Sequence, residues 1–269
     1  MNGAHVLATA FVLVSSVAWA EAPKPRTAAK PAPPTYGTYV RNWHTPNVGK
    51  VPSLDAAGRP MLAIFSINTN DRVELSAASD NGGFSARDLD RAAFVLREPS
   101  SGNEHPVEPR ILDVLYRIQT HFAAQEVRVI SAYRTPHGGS SNHGQGRAID
   151  LVVPGASDSD VAKFAREVGF VGVGIYPTGG FVHIDARARS YFWVDSSGPG
   201  RRNRERGIMG DSAKKSDERA LSRGEHATPA YAIASDVDAF LRARTAQATP
   251  TTPSAPEEDE DAETPSWMR

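Results

Sequence analysis

The chain has 269 residues, with 30 Lys and Arg against 31 Asp and Glu, a formal net charge of -1. So balanced a charge gives no electrostatic reason for a nucleic acid or an anionic membrane surface as partner. Cysteine is absent, which excludes a disulfide framework and a thiolate metal site.

Val6 to Val17 is mostly apolar and Ala18-Trp19-Ala20 has the small-x-small form of a cleavage site, so residues 1–20 read as an export signal. The apolar run is shorter than the ~20 residues a spanning helix needs. Glu21 to Pro34, rich in Pro, Ala and Lys, reads as an extended linker. Tyr36 to Leu54 sets Tyr36, Tyr39, Trp43 and His44 among Gly and Pro and reads as an irregular arm.

Regular structure is expected from Met61. Met61 to Ile67 is apolar, Asn68 to Asp71 supplies turn residues, and Arg72 to Leu75 alternates, together a hairpin. Ser85 is a candidate N-cap with Asp88 three residues on, ahead of Leu89, Ala92, Ala93 and Leu96 at helical spacing. Ile111, Leu112, Leu115, Tyr116 and Ile118 mark an amphipathic helix over Pro109 to Ala124. Glu126 to Tyr133 and Arg147 to Val153 read as strands. Ser157 or Ser159 caps a helix closed by Gly169. Gly172 to Tyr176 and Phe181 to Asp185 then form a hairpin. After Asp195 charge and polar residues dominate. One short helix is expected over Tyr231 to Arg244, and Thr249 to Glu263 reads as disordered.

The chemistry concentrates between Ser131 and Asp185. Two imidazoles, His143 and His183, and the carboxylate of Asp150 arrive from two apolar strands. Two neutral ring nitrogens and one carboxylate oxygen fill three corners of a tetrahedral zinc and leave a fourth for water or substrate. Asp150 sits among Ala148, Ile149, Leu151 and Val152, where a carboxylate is costly unless it is paired or bound to metal. The structural alternative is a carboxylate satisfied by Arg147 or Arg187. His183 and Asp185, two apart on a strand, share a face. Arg134 ends its strand beside the Gly-rich loop of His143, where its fork can hold a peptide carboxylate or an oxyanion. A serine nucleophile is not indicated, because the Gly-x-Ser-x-Gly setting is missing.

The set Ser141-x-His143-x-x-Gly146-x-Ala148-x-Asp150, with Tyr133-Arg134 before it and His183-x-Asp185 after it, resembles the zinc D-alanyl-D-alanine carboxypeptidases and murein endopeptidases, and most closely a branch of exported bacterial proteins among them. The resemblance covers roughly Met61 to Trp193. It implies an α+β fold shared with the hedgehog signalling domain, a small antiparallel sheet with flanking helices. It further implies His143, Asp150 and His183 as zinc ligands and Arg134 as the substrate or oxyanion contact. Peptidases of this type commonly carry an acid or His a few residues before the last ligand, as general base. Here those positions are Thr178, Gly179 and Gly180, so Asp185, or His137 in the loop, is the candidate for that role. Asp185 can equally orient a metal-bound imidazole.

The expected organisation is a signal peptide over 1–20, a linker and arm over 21–57, a zinc domain over 58–195 and a charged, largely disordered tail over 196–269. The expected function is hydrolysis of peptide bonds in the peptidoglycan stem by zinc-activated water, in the periplasm or cell envelope, by a monomer whose partners are stem peptides. The alternative is a zinc-stabilised module that binds cell-wall peptide without cutting it.

Overall fold

A computed structural model describes residues 35–136, 141–198 and 205–227. In chain order the elements are α1 (Tyr36–His44), β1 (Leu62–Ser66), β2 (Arg72–Leu75), α2 (Ala86–Val95), α3 (Pro109–His121), β3 (Val127–Ser131), β4 (Ala148–Val152), α4 (Asp158–Val168), β5 (Val171–Tyr176), β6 (Phe181–Ala186), β7 (Tyr191–Asp195), β8 (Glu205–Arg206) and α5 (Gly210–Ser222). Several form for the reasons legible in the sequence. The Ser85 hydroxyl accepts the Asp88 amide at the start of α2, and Ser157 accepts that of Asp160 at the start of α4. Pro109 opens α3, where its missing N–H costs nothing.

Among the described residues one eight-stranded sheet has the order β2-β1-β3-β4-β6-β5-β7-β8. The α+β class holds. The sheet is larger than expected and mixed: β1 pairs parallel with β3, and β5 parallel with β7, while the remaining pairs are antiparallel. The first parallel pair arises because β2 reverses the chain and the α2–α3 connection then returns it to the sheet at the end where β1 begins.

Strand alternation divides the sheet into two faces. Val127, Val129, Ile149, Leu151, Val173, Val182 and Ile184 point into the main core, against the buried faces of α2, α3 and α4. Burying an aliphatic side chain stabilises by roughly 1.5–3 kcal/mol, so this face dominates the folding energy. The opposite face carries Ile130 and Val152, which pack with Trp43 of α1 and, beside it, Phe181. It also carries the polar residues described below.

Two stretches differ from the sequence reading. The arm expected to be irregular contains α1, because Tyr36, Tyr39, Val40 and Trp43 make an apolar stripe at helical spacing that finds a sheet face to cover. Beyond Asp195, α5 forms and packs on α4 and β7. Its buried residues are only Ala213, Ser216 and Ala220, too small and too polar to register as a hydrophobic stripe. The signal segment, the linker to Pro34, the helix expected over Tyr231 to Arg244 and the acidic tail lie outside the described residues. Among the described residues no helix is long and apolar enough to cross a membrane.

Candidate metal centre

Asp150 on β4 stands opposite His183 on β6, two central antiparallel strands in register. Ser131 at the end of β3 pairs with Asp150 on its other side, at a bulge. His143 enters from the loop before β4 and is fully buried. The three side chains offer ligand atoms that converge within 4.8 Å of one another. His143 Nε2 lies 3.2 Å from His183 Nδ1 and 3.5 Å from Asp150 Oδ1, and His183 Nδ1 lies 2.9 Å from Asp150 Oδ1.

The outward nitrogen of each ring is already committed. His143 Nδ1–H donates to the Ala132 carbonyl at 2.7 Å, since a carbonyl can only accept. His183 Nε2–H donates to Asp185 Oδ2 at 3.0 Å. In neutral imidazoles this leaves His143 Nε2 and His183 Nδ1 as lone pairs. Three acceptor atoms therefore face one another in a buried pocket. That arrangement is repulsive unless a cation stands among them, either a proton or a metal ion. The same contacts set the electrostatics of the cluster. Burial disfavours a charged His183, yet its contacts with Asp150 and Asp185 raise its pKa to about 10. Burial also pushes the Asp150 carboxyl up, but the two histidines outweigh it and hold the group below the usual carboxylate range. The donor set fits a metal ion.

Behind His183 a further layer fixes its ring. Asp185 is fully buried. Its carboxylate accepts Arg187 Nε at 2.5 Å and Arg187 Nη2 at 2.9 Å, besides the His183 bond. Burial opposes its ionisation, and His183 and Arg187 overcome that and hold its pKa low. Asp185 thus stands on the far edge of the His183 ring from the ligand cluster, with both oxygens engaged. Of the two roles expected for Asp185, proton acceptor and orienting partner of a metal-bound imidazole, this geometry favours the second. Trp193 on β7, fully buried, packs beside His183 with ring centroids 5.3 Å apart, and Arg187 lies over its ring. Space for this layer comes from β5. A Cβ on Gly172 would fall 2.2 Å from Asp185 Oδ2, and one on Gly174 would fall 2.4 Å from the Trp193 ring.

The structure brings together His143, Asp150 and His183, with Asp185 bonded to the far nitrogen of His183. Arg134 is half-buried, two residues beyond the carbonyl that holds His143, and its own carbonyl lies beside Gly144 of the His143 loop. The alternative partner for Asp150, Arg147, instead donates to the Ala186 carbonyl. His137, Gly138 and Gly139 lie outside the described residues. The turn between β5 and β6 is committed to structure: the Thr178 hydroxyl donates to the Ser196 carbonyl and the Gly179 carbonyl accepts the Tyr36 hydroxyl. The sequence pattern offers Arg187 only as an alternative partner for Asp150 and gives no role to Trp193 or to the two β5 glycines. The spacing Asp185-x-Arg187, and the alternation of Gly172 and Gly174 opposite the ligand strand, were the available signals.

Residues 55–191 match the family model Peptidase_M15_2, described as peptidoglycan L,D-endopeptidase MepK. A protein of Haemophilus influenzae named "Probable peptidoglycan L,D-endopeptidase MepK" is 30% identical over 144 residues, 47% of this chain and 76% of the relative. The peptidoglycan L,D-endopeptidase MepK of Escherichia coli is 27% identical over 149 residues, 50% of this chain and 82% of the relative. No solved structure gives a significant match. The family match takes in His143, Asp150, His183 and Asp185 and spans half of the chain, so the chain belongs to this M15_2 family of peptidases.

Proposed function

We propose that the chain is an exported zinc-dependent murein endopeptidase that hydrolyses a peptide bond in the stem of peptidoglycan. The observation that carries this reading is the convergence of three lone-pair donors, His143 Nε2, His183 Nδ1 and Asp150 Oδ1, each fixed from behind or within a buried register. Ligand atoms around a tetrahedral zinc at ~2.0–2.1 Å stand ~3.3 Å apart, and the observed separations of 2.9, 3.2 and 3.5 Å bracket that value. Zinc with an open position supplies a water of lowered pKa and polarises a carbonyl. The names of the relatives support the substrate class, and the apolar start of the sequence supports export.

The chain's own residues then divide the work. Ala132 and Asp185 hold the two imidazoles in the tautomers that leave a lone pair toward the site. Arg187 keeps Asp185 ionised. Arg134, beside the His143 loop, provides a fixed positive charge for a substrate carboxylate or for the oxyanion formed on attack.

One observation favours a second reading, a module that binds stem peptide without cutting it. Thr178, Gly179 and Gly180 offer no carboxylate or imidazole, and Asp185 is pinned behind His183. Digestion of purified peptidoglycan, read by mass spectrometry, decides between them. New amines and unlinked stem peptides are expected. Persistent binding with no new amine would establish the module instead.

A further inference from the structure

We infer that helix α1 is a fixed wall of the substrate cleft, confining a bound peptide to the side of the Arg134 and His143 loop. The inference rests on the reading of the ligand cluster as a peptidase centre, and it concerns residues outside the 55–191 span of the family match.

α1 lies on the ligand face of the sheet. Trp43 is nearly fully buried and packs with Ile130 and Val152, and Phe181 adjoins them. Val152 follows Asp150 by two residues and Phe181 precedes His183 by two, so this packing row runs alongside the ligand row about 6–7 Å away along the strands. A helix with its side chains is ~10–12 Å across, and half of that nearly closes the gap. The flank of α1 therefore borders the ligand cluster.

The helix is tied down at both ends. At its start the Tyr36 hydroxyl donates to the Gly179 carbonyl at 2.6 Å. At its end Arg128 Nη1 lies 2.9 Å from each of the carbonyls of Asn42, Trp43 and Thr45 and shares its two hydrogens among them, which caps the C-terminal acceptors of the helix. Arg128 is itself held by Glu126 at 2.7 Å. His44 Nε2 meets Asp158 at 2.9 Å, and the Gly155 amide donates to the His44 carbonyl. In the middle, Val40 fills the space over the β5–β6 turn. Gly180 has φ 68°, and a Cβ there would fall 2.5 Å from Val40 Cγ1. A side chain at 180 is thus incompatible with a seated α1, so this position cannot carry a proton acceptor while the helix is in place. An extended peptide reaching the cluster across the sheet is blocked on the α1 side and is left the side of Arg134 and His143.

The test uses the full chain. Val40→Asp places a charge in the contact with the turn, Tyr36→Phe removes only the hydroxyl bond to Gly179, and Val40→Ala is the conservative control. Hydrogen exchange first establishes that α1 is loosened. Zinc stoichiometry should be unchanged. Extraction of zinc by a coloured chelator should quicken by about tenfold in Val40→Asp, the equivalent of ~1.4 kcal/mol, and less in Tyr36→Phe, while KM for peptidoglycan fragments changes more than kcat. Extraction and KM at wild-type values with α1 shown to be loose would overturn the wall and leave the peptidase reading standing. Faster extraction with no cleavage by any of the proteins would overturn the peptidase reading and leave the wall. Should Val40→Asp fail to fold, Tyr36→Phe carries the same comparison.

Discussion

Replacing Asp185 with asparagine separates two roles that one carboxylate can play. The wild-type group accepts three hydrogen bonds, one from His183 Nε2–H and two from Arg187. Asparagine keeps the shape but only one accepting oxygen. If that oxygen takes the Oδ2 place, the His183 bond survives and the amide NH2 faces Arg187 Nε, donor against donor. If it takes the other place, two donors oppose the NH2. Either way the negative charge that favours His183 as a ligand is gone. Loss of such an outer partner costs 10–100-fold in metal affinity, or ~1.4–2.8 kcal/mol. Breaking a buried ion pair costs ~3–5 kcal/mol of stability. Arg187 has a quarter of its side chain exposed, so water relieves part of that and the loss should fall at or below the lower end. Competition titration with a chelator measures the first quantity, and melting of the metal-free protein measures the second. At saturating zinc, activity should return largely to the wild-type level. Unchanged zinc affinity with activity lowered by orders of magnitude would refute the positioning role and restore Asp185 as the proton acceptor.

Other outcomes follow from the same geometry. Gly174→Ala forces a methyl group into the Trp193 ring, and overpacking of this kind costs ~1–3 kcal/mol, so thermal melting should show a lowered Tm and weaker zinc retention. Arg134→Ala should leave zinc content intact and lower kcat by about 10²–10³ if the guanidinium stabilises the oxyanion; steady-state kinetics beside elemental analysis checks this. The His44 pair gives a pH signature. Hydrogen bonding to Asp158 raises the His44 pKa, with burial and Arg128 opposing. A raised folded pKa means that the pair's stabilisation is full below the unfolded value of about 6.5 and is lost as pH rises through the folded value. His44→Gln should therefore destabilise the protein more in mild acid than in alkali, as read from melting curves across that range; an equal deficit at both ends would count against the charged pair.

The fold was legible wherever apolar periodicity and capping agreed. The β1–β2 hairpin, α2 behind Ser85, α3 behind Pro109, α4 between Ser157 and Gly169, and the β5–β6 hairpin all stand where the pattern puts them. α1 is hard to read because its stripe of Tyr36, Val40 and Trp43 is set among Gly, Thr, Asn and Pro, and the surface it covers, Ile130 and Val152, is remote in sequence. α5 was missed because small residues pack closely without looking hydrophobic. Parallel pairing of β1 with β3 and of β5 with β7 is a long-range outcome that no local pattern encodes. At the site, the cost of burying Asp150 in an apolar strand points to the cluster from the sequence alone. The role of Asp185 was not decidable from the strand alone. Alternation puts it on the ligand face, but only the ring orientation of His183 and the grip of Arg187 show that it stands behind the imidazole.

The most direct test of the account is the zinc content of the purified full chain beside that of His143→Ala, by elemental analysis after incubation with the metal. About one zinc per chain is predicted for the wild type, and loss of that zinc from a folded His143→Ala protein. A wild type that takes up no zinc, or a His143→Ala protein that keeps it as tightly, would contradict the assignment of His143, Asp150 and His183 as the metal centre.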